Sequence, residues 1–328
     1  MKVLVIGYGS IGKRHIGNLS LFPDIEIIVC TNRKTDNFLK EKKCQLYSSL
    51  DKCIEQKPDV AFITNVTSQH IKTAIKLASA HIDLFIEKPL SNSMSNVNKL
   101  LKMVEKNHLV TLMGCHLRFH PCLKKIKELV SNNEIGTIVS IHAENGSYLP
   151  EWHPGEDYEL SYAGRKDMGG GTVLTNIHEI DYLYWFFGNV KEVYSITGKF
   201  SDLKINVEDI SSILLYFNRR VIGEIHLDYF QRPNTRTCKI VGTKGTIFWD
   251  YKINTVEMYD VNKKSWIKKL RLKNYDNNSM HVQEIKHFFE CVKNRKKTIN
   301  DISEGKKVLQ IALAIKKSSQ LKKVVLVN

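Results

Sequence analysis

The chain begins with the stretch Met1-Lys2-Val3-Leu4-Val5-Ile6-Gly7-Tyr8-Gly9-Ser10-Ile11-Gly12-Lys13, a short apolar run that leads into Gly-x-Gly-x-x-Gly and a helix-like pattern. This order of strand, glycine turn and helix start is typical of a dinucleotide-binding site. Gly7 permits a tight turn, Gly9 lets the backbone approach a pyrophosphate, and Gly12 allows the helix to pack closely on the strand. Amides at the helix start point to the phosphates. The predicted cofactor contacts here are Gly7, Gly9, Ser10, Ile11 and Gly12.

The composition is typical of a globular protein with two domains. The 328 residues are 42% hydrophobic and 25% charged, which is too balanced for a disordered chain. No apolar run approaches the roughly 20 residues that a membrane span needs, and Gly7 interrupts the apolar start, so a signal peptide is not indicated. Seven scattered cysteines without a Cys-x-x-Cys pair predict neither a disulfide framework nor a zinc site. We expect a cytoplasmic protein with no metal and no membrane partner.

The net charge is strongly positive. Lys and Arg number 49 against 34 Asp and Glu, which gives +15. The lysines are spread along the whole chain and no nucleic-acid-reading motif accompanies them, so no nucleic-acid partner is predicted. A small anionic substrate would benefit equally from this charge.

Hydrophobic periodicity divides the chain into two parts. Strand-like runs that alternate with helix-like stretches predict a doubly wound parallel sheet; the strands are 25–30, 60–63, 84–86 and 110–113, and the helices include 69–80 and 95–106. Longer alternating runs follow, which predict an antiparallel second domain; these are 190–198, 210–217, 221–229, 237–241 and 246–249. The domains are expected at 1–118 and 119–328, because a helix starts at Pro121, and a C-terminal helix can pack back on the first domain.

The end of the second predicted strand favours NADP over NAD. NAD enzymes place an acidic residue there for the ribose hydroxyls, whereas this chain has Cys30-Thr31-Asn32-Arg33-Lys34. A guanidinium binds a 2′-phosphate that a carboxylate would repel. Alternatively, Arg33 lies on the adenine or in solvent. The remaining predicted cofactor contacts are Thr31, Asn32, Arg33, Thr64, Asn65, His70, Glu87 and Lys88.

Two side chains are predicted to carry the chemistry. Lys88, in Glu87-Lys88-Pro89, follows a buried strand at the edge of the sheet where ligands of such folds bind. His178 follows the glycine turn 169–171, in a helix expected to continue to Phe187, and a helix start favours its neutral form. His178 and Asp181 would share one face of this helix, and Ile177, Ile180, Tyr184 and Phe187 would form the core-facing one. Taken singly, Lys88 is explained equally as a surface lysine, and His178 as a structural histidine of a helix.

Taken together, these motifs resemble the glucose-fructose oxidoreductase, inositol dehydrogenase and MocA (Gfo/Idh/MocA) family. The similarity covers nearly the whole chain and rests on the glycine fingerprint, Glu87-Lys88-Pro89, Arg118 to Pro121, Ile135-Gly136, and the triple glycine with His178 to Asp181. It implies a Rossmann domain followed by an α+β domain with an open, mostly antiparallel sheet whose other face often forms homo-oligomers. It also implies hydride transfer between NAD(P) and a sugar or cyclitol carbon, with Lys88 and His178 at the reacting oxygen.

One position departs from the family pattern. Many members have an aspartate a few residues before the histidine, where this chain has Thr175 and Asn176. Neither can exchange a proton as a carboxyl does. We therefore predict His178 as the acid/base, Lys88 as the charge that stabilises the alkoxide, and Thr175 and Asn176 as substrate hydrogen-bonding groups.

The segment from Tyr148 to Lys166, which joins a predicted strand to the glycine turn 169–171, is expected to border the substrate. Its aromatic side chains can stack on sugar faces, and Arg165 can hold a phosphate or carboxylate. A lid packed for stability explains the same segment. The predicted substrate contacts are Arg118, Tyr148, Trp152, Tyr162, Arg165, Thr175, Asn176 and His178.

The resemblance implies an NAD(P)-dependent sugar dehydrogenase or ketoreductase. The segment before the glycine turn is also similar to that of family members associated with bacterial surface sugars, so we expect a nucleotide-linked or otherwise anionic sugar in surface glycan biosynthesis. Two alternatives stay open. One is a noncatalytic dinucleotide-binding regulator, which the loss of the aspartate at Thr175 allows. The other is redox-neutral glycoside cleavage, in which bound NAD oxidises and re-reduces the same sugar.

Overall fold

A computed structural model of the chain describes residues 1–218 and 220–327. Their contacts form two compact units. Unit 1 comprises residues 1–116 and 278–306, and unit 2 comprises residues 117–277 and the remainder from 307. Along the described chain, no helix is both long enough and apolar enough to cross a lipid bilayer.

The strands are numbered in chain order. They are β1 (Lys2–Ile6), β2 (Glu26–Cys30), β3 (Gln45–Tyr47), β4 (Val60–Ile63), β5 (Asp83–Glu87), β6 (Thr111–Gly114), β7 (Ile138–Gly146), β8 (Val190–Gly198), β9 (Ile210–Phe217), β10 (Ile222–Asp228), β11 (Thr235–Gly242), β12 (Gly245–Asp250), β13 (Thr255–Asp260), β14 (Ser265–Arg271) and β15 (Val325–Leu326).

The α-helices are numbered in the same way. They are α1 (Ser10–Leu19), α2 (Asn37–Glu41), α3 (Leu50–Glu55), α4 (His70–Ser79), α5 (Val97–Lys106), α6 (Pro121–Ser131), α7 (Thr172–Thr175), α8 (His178–Phe187), α9 (Asn278–Asn294) and α10 (Ile302–Leu321). Short 3₁₀ turns connect several of them, including four between β7 and α7.

Unit 1 contains a parallel sheet with the strand order β3-β2-β1-β4-β5-β6. The central strands β1 and β4 are buried apolar runs, because helices cover both faces of such a sheet. In β1, Val3 lies beside Ile27 on one side and Val60 on the other. The strand order reverses between β1 and β4, where a doubly wound sheet opens its ligand crevice. The predicted parallel α/β fold is confirmed.

Unit 2 contains an open sheet with the order β14-β13-β12-β11-β7-β10-β9-β8-β15. Neighbouring strands are antiparallel except β7 and β10, which run parallel with Ile222 beside Ser140. Burial alternates along β9 and β10, as expected when one face of the sheet is covered and the other is exposed. The predicted open, mostly antiparallel second sheet is confirmed.

The predicted strands 190–198 and 210–217 match β8 and β9 residue for residue. Three strands were not predicted. β3 has only three residues, and β13 and β14 adjoin or contain lysine-rich segments whose polarity masks a strand pattern.

The predicted helix from the glycine turn to Phe187 is wrong in two respects. It is interrupted between α7 and α8, at Asn176 and Ile177. It also has no polar face, because the polar residues His178 and Asp181 are buried together with the apolar ones. A helix buried on all sides does not show the expected two-face pattern.

The chain leaves unit 1 after His116, two residues before the predicted boundary at 118, and residues 278–306 belong to unit 1. Within unit 1, these residues extend the edge of the parallel sheet. Thr298 Oγ1 donates to the Thr111 carbonyl at 2.6 Å, and the Met113 amide donates to the Asn300 carbonyl at 2.7 Å. The prediction assigned 278–306 to the second domain, because these polar contacts leave no periodic signal in the sequence.

Candidate active site

The glycine fingerprint of unit 1 forms the tight turn that its spacing predicts. Gly7 has φ +103°, and its amide donates to the Cys30 carbonyl at 3.1 Å. A Cβ on Gly12 would overlap the Gly7 carbonyl oxygen and lie 2.9 Å from Thr64 Oγ1. Both glycines are therefore required by the protein's own packing.

Gly9 differs from its two neighbours in the motif. A Cβ built on Gly9 meets nothing within 4 Å among the described residues, so the packing of the chain does not explain this glycine. Gly9 is the N-cap of α1 and has no side-chain cap, so the first amides of the helix, from Ser10 to Gly12, face this open space. The arrangement fits a dinucleotide pyrophosphate, which requires bare backbone and free amides.

The loop after β2 presents Thr31, Asn32 and Arg33 at the surface of unit 1. The Arg33 amide donates to Thr31 Oγ1 at 3.1 Å, and the Arg33 side chain is exposed. The sequence analysis missed Asp36, which caps α2 by accepting from the Leu39 amide and also accepts from Tyr8 Oη at 2.8 Å. The Leu39 amide and Tyr8 hold the pKa of Asp36 below its usual value.

The predicted contacts Thr64, Asn65 and His70 are engaged within unit 1. Thr64 Oγ1 donates to the Ile6 carbonyl at 2.9 Å, and Asn65 Nδ2 donates to Thr73 Oγ1 at 3.0 Å. The His70 ring lies between the carbonyls of Pro89 and Asn65, at 2.8 and 3.0 Å. Burial lowers the pKa of His70. These side chains hold the loops around the glycine turn, and their backbone is what can face a cofactor.

The side chains of the neighbouring residues Glu87 and Lys88 differ in their surroundings. The Glu87 carboxylate, part of a predicted cofactor contact, is buried and contacts His15 of α1, with Oε1 2.7 Å from Nε2. Lys88 is partly exposed at the carboxyl end of β5, and its peptide bond to Pro89 is cis.

In unit 2 the triple glycine forms the turn before α7. Gly169 and Gly171 have φ +85° and +105°, and a Cβ on Gly170 would overlap the Tyr162 carbonyl. His178 is the first residue of α8 and is 4% exposed.

Thr175 and Asn176 lie just before His178. Asn176 Nδ2 donates to Thr172 Oγ1 at 3.0 Å, and Thr175 has a side-chain hydrogen bond to Tyr229. Unit 2 thus brings three predicted residues together, namely Thr175, Asn176 and His178, where α7 ends and α8 begins.

Arg118, a predicted substrate contact, is engaged within unit 2 by Asp181. It is fully buried, and its Nε and Nη2 donate to the two carboxylate oxygens of Asp181 at 2.9 and 2.8 Å. The sequence could not show that an acidic residue 63 positions later neutralises this arginine. Arg118 and Asp181 join the segment before α6 to α8.

A cleft of about 450 Å³ in unit 2 contains two predicted substrate contacts, Trp152 and Asn176. Its other lining residues are mostly amides, hydroxyls and aromatic rings, and none of them was predicted; they include Asn145, Thr235, Arg236, Tyr251 and Asn254. Arg236 forms an ion pair with the buried Glu179, with 2.8 Å between Nε and Oε1. No local sequence pattern marks this arginine as part of a cleft.

The remaining predicted substrate residues lie in the segment between β7 and α7. Tyr148 and Tyr162 pack on a buried cluster that includes Leu149, Ile205 and Tyr229. Arg165 is bound by Asp167 through two hydrogen bonds of 3.1 and 2.7 Å. These contacts agree with a packed lid, the alternative explanation of this segment, and they bring none of the three side chains to the cleft lining.

Comparison with known proteins places both units in one family. Residues 1–115 match the model described as an oxidoreductase family with an NAD-binding Rossmann fold, and residues 123–248 match the GFO/IDH/MocA C-terminal domain. The chain is 27% identical to myo-inositol 2-dehydrogenase of Thermotoga maritima, over 98% of this chain and 97% of that protein. It is 21% identical to glucose-6-phosphate 3-dehydrogenase of Bacillus subtilis, over 73% and 68% of the two chains.

Solved structures show the same fold. Levoglucosan dehydrogenase in complex with NADH has a TM-score of 0.90 at 18% identity, covering 100% of this chain and 99% of that chain. A probable dehydrogenase from Thermotoga maritima has a TM-score of 0.82 at 24% identity, with 100% and 99% covered.

Proposed function

Because the chain belongs to the GFO/IDH/MocA family of oxidoreductases, we propose that it transfers a hydride between a nicotinamide cofactor and a hydroxyl-bearing carbon of a sugar or polyol. The relatives named as myo-inositol and glucose-6-phosphate dehydrogenases support this class of substrate. The observation that carries the proposal is the open space at Gly9, which leaves room for a ligand to approach the backbone at the start of α1, in a chain that also retains Lys88 and His178.

His178 is the proposed acid/base. It opens α8, where the positive end of the helix dipole favours a neutral imidazole that can accept the hydroxyl proton. Lys88 is the proposed positive charge that stabilises the alkoxide formed as the proton leaves. The bound cofactor supplies the nicotinamide carbon that accepts or returns the hydride.

The cleft in unit 2 is the proposed substrate site. Its amides and hydroxyls match the hydrogen-bonding pattern of vicinal hydroxyls, and Trp152 and Tyr251 offer faces on which a sugar ring can stack. We keep the predicted nucleotide-linked or anionic sugar, and its role in surface glycan synthesis, as a narrower hypothesis. Arg236 and Arg165 are paired with Glu179 and Asp167, so Lys252 at the cleft is the cation that supports it.

We propose NADP(H) as the preferred cofactor. The exposed Arg33, positioned after β2 by the hydrogen bond of its amide to Thr31, is suited to a 2′-phosphate. The nearby carboxylate of Asp36 is engaged by Tyr8 and by the start of α2, which reduces its capacity to bind ribose hydroxyls.

We also propose a homo-oligomer that forms through the exposed face of the unit 2 sheet. Tyr194, Leu214 and Glu224 lie side by side on β8, β9 and β10, and Ile196 and Ile222 are exposed nearby. Exposed apolar side chains in such a group are typical of a protein contact surface.

The function is tested with Lys88→Ala and His178→Ala, using a panel of free and nucleotide-linked sugars and cofactor absorbance at 340 nm. Each variant is expected to lower kcat by about 10²-fold or more while NAD(P)H still binds. Lys72→Ala, an exposed lysine of α4, is the control. Unchanged turnover in both variants would contradict the proposed chemistry. Substrate conversion without net absorbance change would indicate the redox-neutral alternative, and cofactor binding without turnover of any sugar would indicate a regulator, which Thr175 allows.

A further inference from the structure

Unit 1 contains a buried hydrogen-bonded pair, His15 and Glu87, that the proposed chemistry does not use. His15, on α1, donates from Nε2 to Glu87 Oε1 at 2.7 Å, since an ionised carboxylate can only accept. The His15 side chain is fully buried, and that of Glu87 is 7% exposed. A buried pair of this kind is weak evidence for stability, because removing a carboxylate from water costs about as much free energy as its buried partner returns. Its presence therefore calls for another explanation.

The surroundings show that His15 is the principal partner of Glu87. The rings of Phe62 and Phe85 pack against the His15 ring, with centroids 5.3 and 5.0 Å away. Burial alone would raise the pKa of Glu87, but the hydrogen bond and the charge of His15, with smaller contributions from Lys88 and His281, outweigh it and lower this pKa. Glu87 is thus held as a carboxylate.

The other charged and titratable groups near the pair lie on α1, on α9 and after β6. His281, on α9, accepts from Arg14 Nη1 at 3.2 Å, and the His116 ring stacks on it at 4.1 Å. Burial, reinforced by the charge of His15, lowers the pKa of His281 to about 3, so this imidazole is neutral near pH 7. His281 is therefore not a competing cation beside Glu87.

The second carboxylate oxygen contacts the residue that carries the proposed chemistry. Glu87 Oε2 accepts from the backbone amide of Lys88 at 3.2 Å. Gly114 at the end of β6 leaves the space for this carboxylate, because a Cβ there would lie 3.0 Å from its atoms. Glu87 thus links α1, which carries the cofactor turn, to the main chain of Lys88.

We propose that Glu87 is a positioning residue, which His15 clamps so that its carboxylate fixes the main chain of Lys88 at the edge of the sheet. The role in turnover rests on the proposed function of Lys88, whereas the fixing of the main chain does not. Glu87 itself exchanges no proton with the substrate in this proposal.

The experiment compares Glu87→Ala with Glu87→Gln. The alanine variant removes the acceptor for the Lys88 amide. The glutamine variant keeps a carbonyl oxygen for that amide, and its NH₂ group can donate to His15 Nε2 if the ring proton moves to Nδ1, which has no hydrogen-bond partner among the described residues. Glutamine can therefore restore the position of Lys88 without the negative charge.

The first readout is hydrogen exchange at the Lys88 amide, followed by mass spectrometry of a peptide that spans 86–91. Exchange is expected to be at least about tenfold faster in Glu87→Ala and within about threefold of the original chain in Glu87→Gln. The matched control is Asp83→Ala, which removes a buried carboxylate from the other end of β5, where it accepts from the Val110 amide at 2.7 Å. The control is expected to leave exchange at Lys88 unchanged.

The second readout is turnover together with the dissociation constant for NAD(P)H, taken from cofactor fluorescence. Glu87→Ala is expected to lower kcat at least tenfold with less than threefold change in cofactor affinity. Glu87→Gln is expected to retain most of the kcat of the original chain. Equal exchange at Lys88 in the original chain and Glu87→Ala would overturn the proposal, as would equal acceleration in the Ala and Gln variants. If exchange changes as expected but Lys88→Ala has full activity, the positioning stands and the proposed function fails.

Discussion

Arg118 and Asp181 form a two-pronged ion pair inside unit 2, with donor-to-oxygen distances of 2.9 and 2.8 Å and both side chains 1% exposed or less. The pair connects the residue before Phe119 and the α6 region to the middle of α8, three residues after His178. It therefore fixes the helix that presents the proposed acid/base.

Removing one member of this pair leaves the other charge buried. Asp181→Leu or Arg118→Met is expected to lower the free energy of unfolding by about 3–5 kcal/mol, measured by urea denaturation. The double variant Arg118→Met with Asp181→Leu should lose less than either single variant, because no unpaired charge remains. Arg165→Ala breaks a pair at the surface and should cost under about 1 kcal/mol. Additive losses in the double variant would contradict the coupling.

Gly9 and Gly12 are expected to respond differently to the same substitution. Gly12→Ala places a Cβ against the Gly7 carbonyl and should destabilise the protein by about 1–3 kcal/mol. Gly9→Ala has room in the protein, so its melting temperature should be unchanged, but NAD(P)H binding should weaken by about tenfold or more because the Cβ occupies the approach to the pyrophosphate. Calorimetry and cofactor titration separate the two effects. Full cofactor affinity in Gly9→Ala would place the dinucleotide elsewhere.

Arg33 should decide the choice of cofactor. Arg33→Ala is expected to weaken NADPH binding by about tenfold or more, through loss of a charge-assisted hydrogen bond, and to change NADH binding by less than about twofold. Lys40→Ala removes an exposed cation from α2 and serves as the control for net charge. Titration of both cofactors gives the result. Tighter binding of NADH than NADPH by the original chain would refute the preference.

Because of the buried His120, the free energy of unfolding is expected to decrease in acid. His120 caps α6 by accepting from the Cys122 amide at 3.2 Å, and burial lowers its pKa to about 4. Because the unfolded chain binds the proton near pH 6.5 and the folded chain only near 4, the contribution of His120 is complete above pH 6.5. It falls as the pH drops towards 4, by up to about 3 kcal/mol.

Denaturation of the original chain and His120→Asn between pH 4 and 8 measures this contribution. Asparagine is also a good cap, so the variant should fold. The difference in stability between the two proteins should be constant above pH 7 and should shift in favour of the variant as the pH falls. A difference that does not depend on pH would show that folding leaves the pKa of His120 unchanged.

The exposed face of the unit 2 sheet should control assembly. Leu214→Asp introduces a charge between Tyr194 and Glu224 and is expected to convert the oligomer to a monomer in light scattering after size exclusion. Leu21→Asp, a substitution at an exposed leucine of unit 1, is the control and should not alter the mass. A monomeric original chain would remove the basis for this prediction.

The fold and the cofactor turn could be predicted because their signals are local. Three glycines in fixed spacing, continuous apolar strands and alternating strands each reflect the immediate surroundings of the residues that carry them. The partners of charged side chains could not be predicted in the same way. Arg118 was assigned to substrate and Glu87 to the cofactor, yet each side chain is hydrogen-bonded to a residue more than 60 positions away in the chain.

The proposed substrate cleft contains both predicted and unpredicted residues. Trp152 and Asn176 lie next to recognisable motifs and were predicted, whereas Arg236, Tyr251 and Asn254 come from strands and turns without distinctive patterns. Side chains of this kind gather at one place only when distant strands pair, so a single sequence gives no sign of them.

The parallel pair β7 and β10 has a consequence for how the molecule assembles. The two strands pair in register, although roughly 75 residues separate them in the chain. These residues include α7, α8 and the antiparallel strands β8 and β9. Closing so large a loop is entropically slow, and little of that cost is recovered until the strands meet. His178 lies within this loop, so we expect the surroundings of the proposed acid/base to be complete only once β10 has paired with β7.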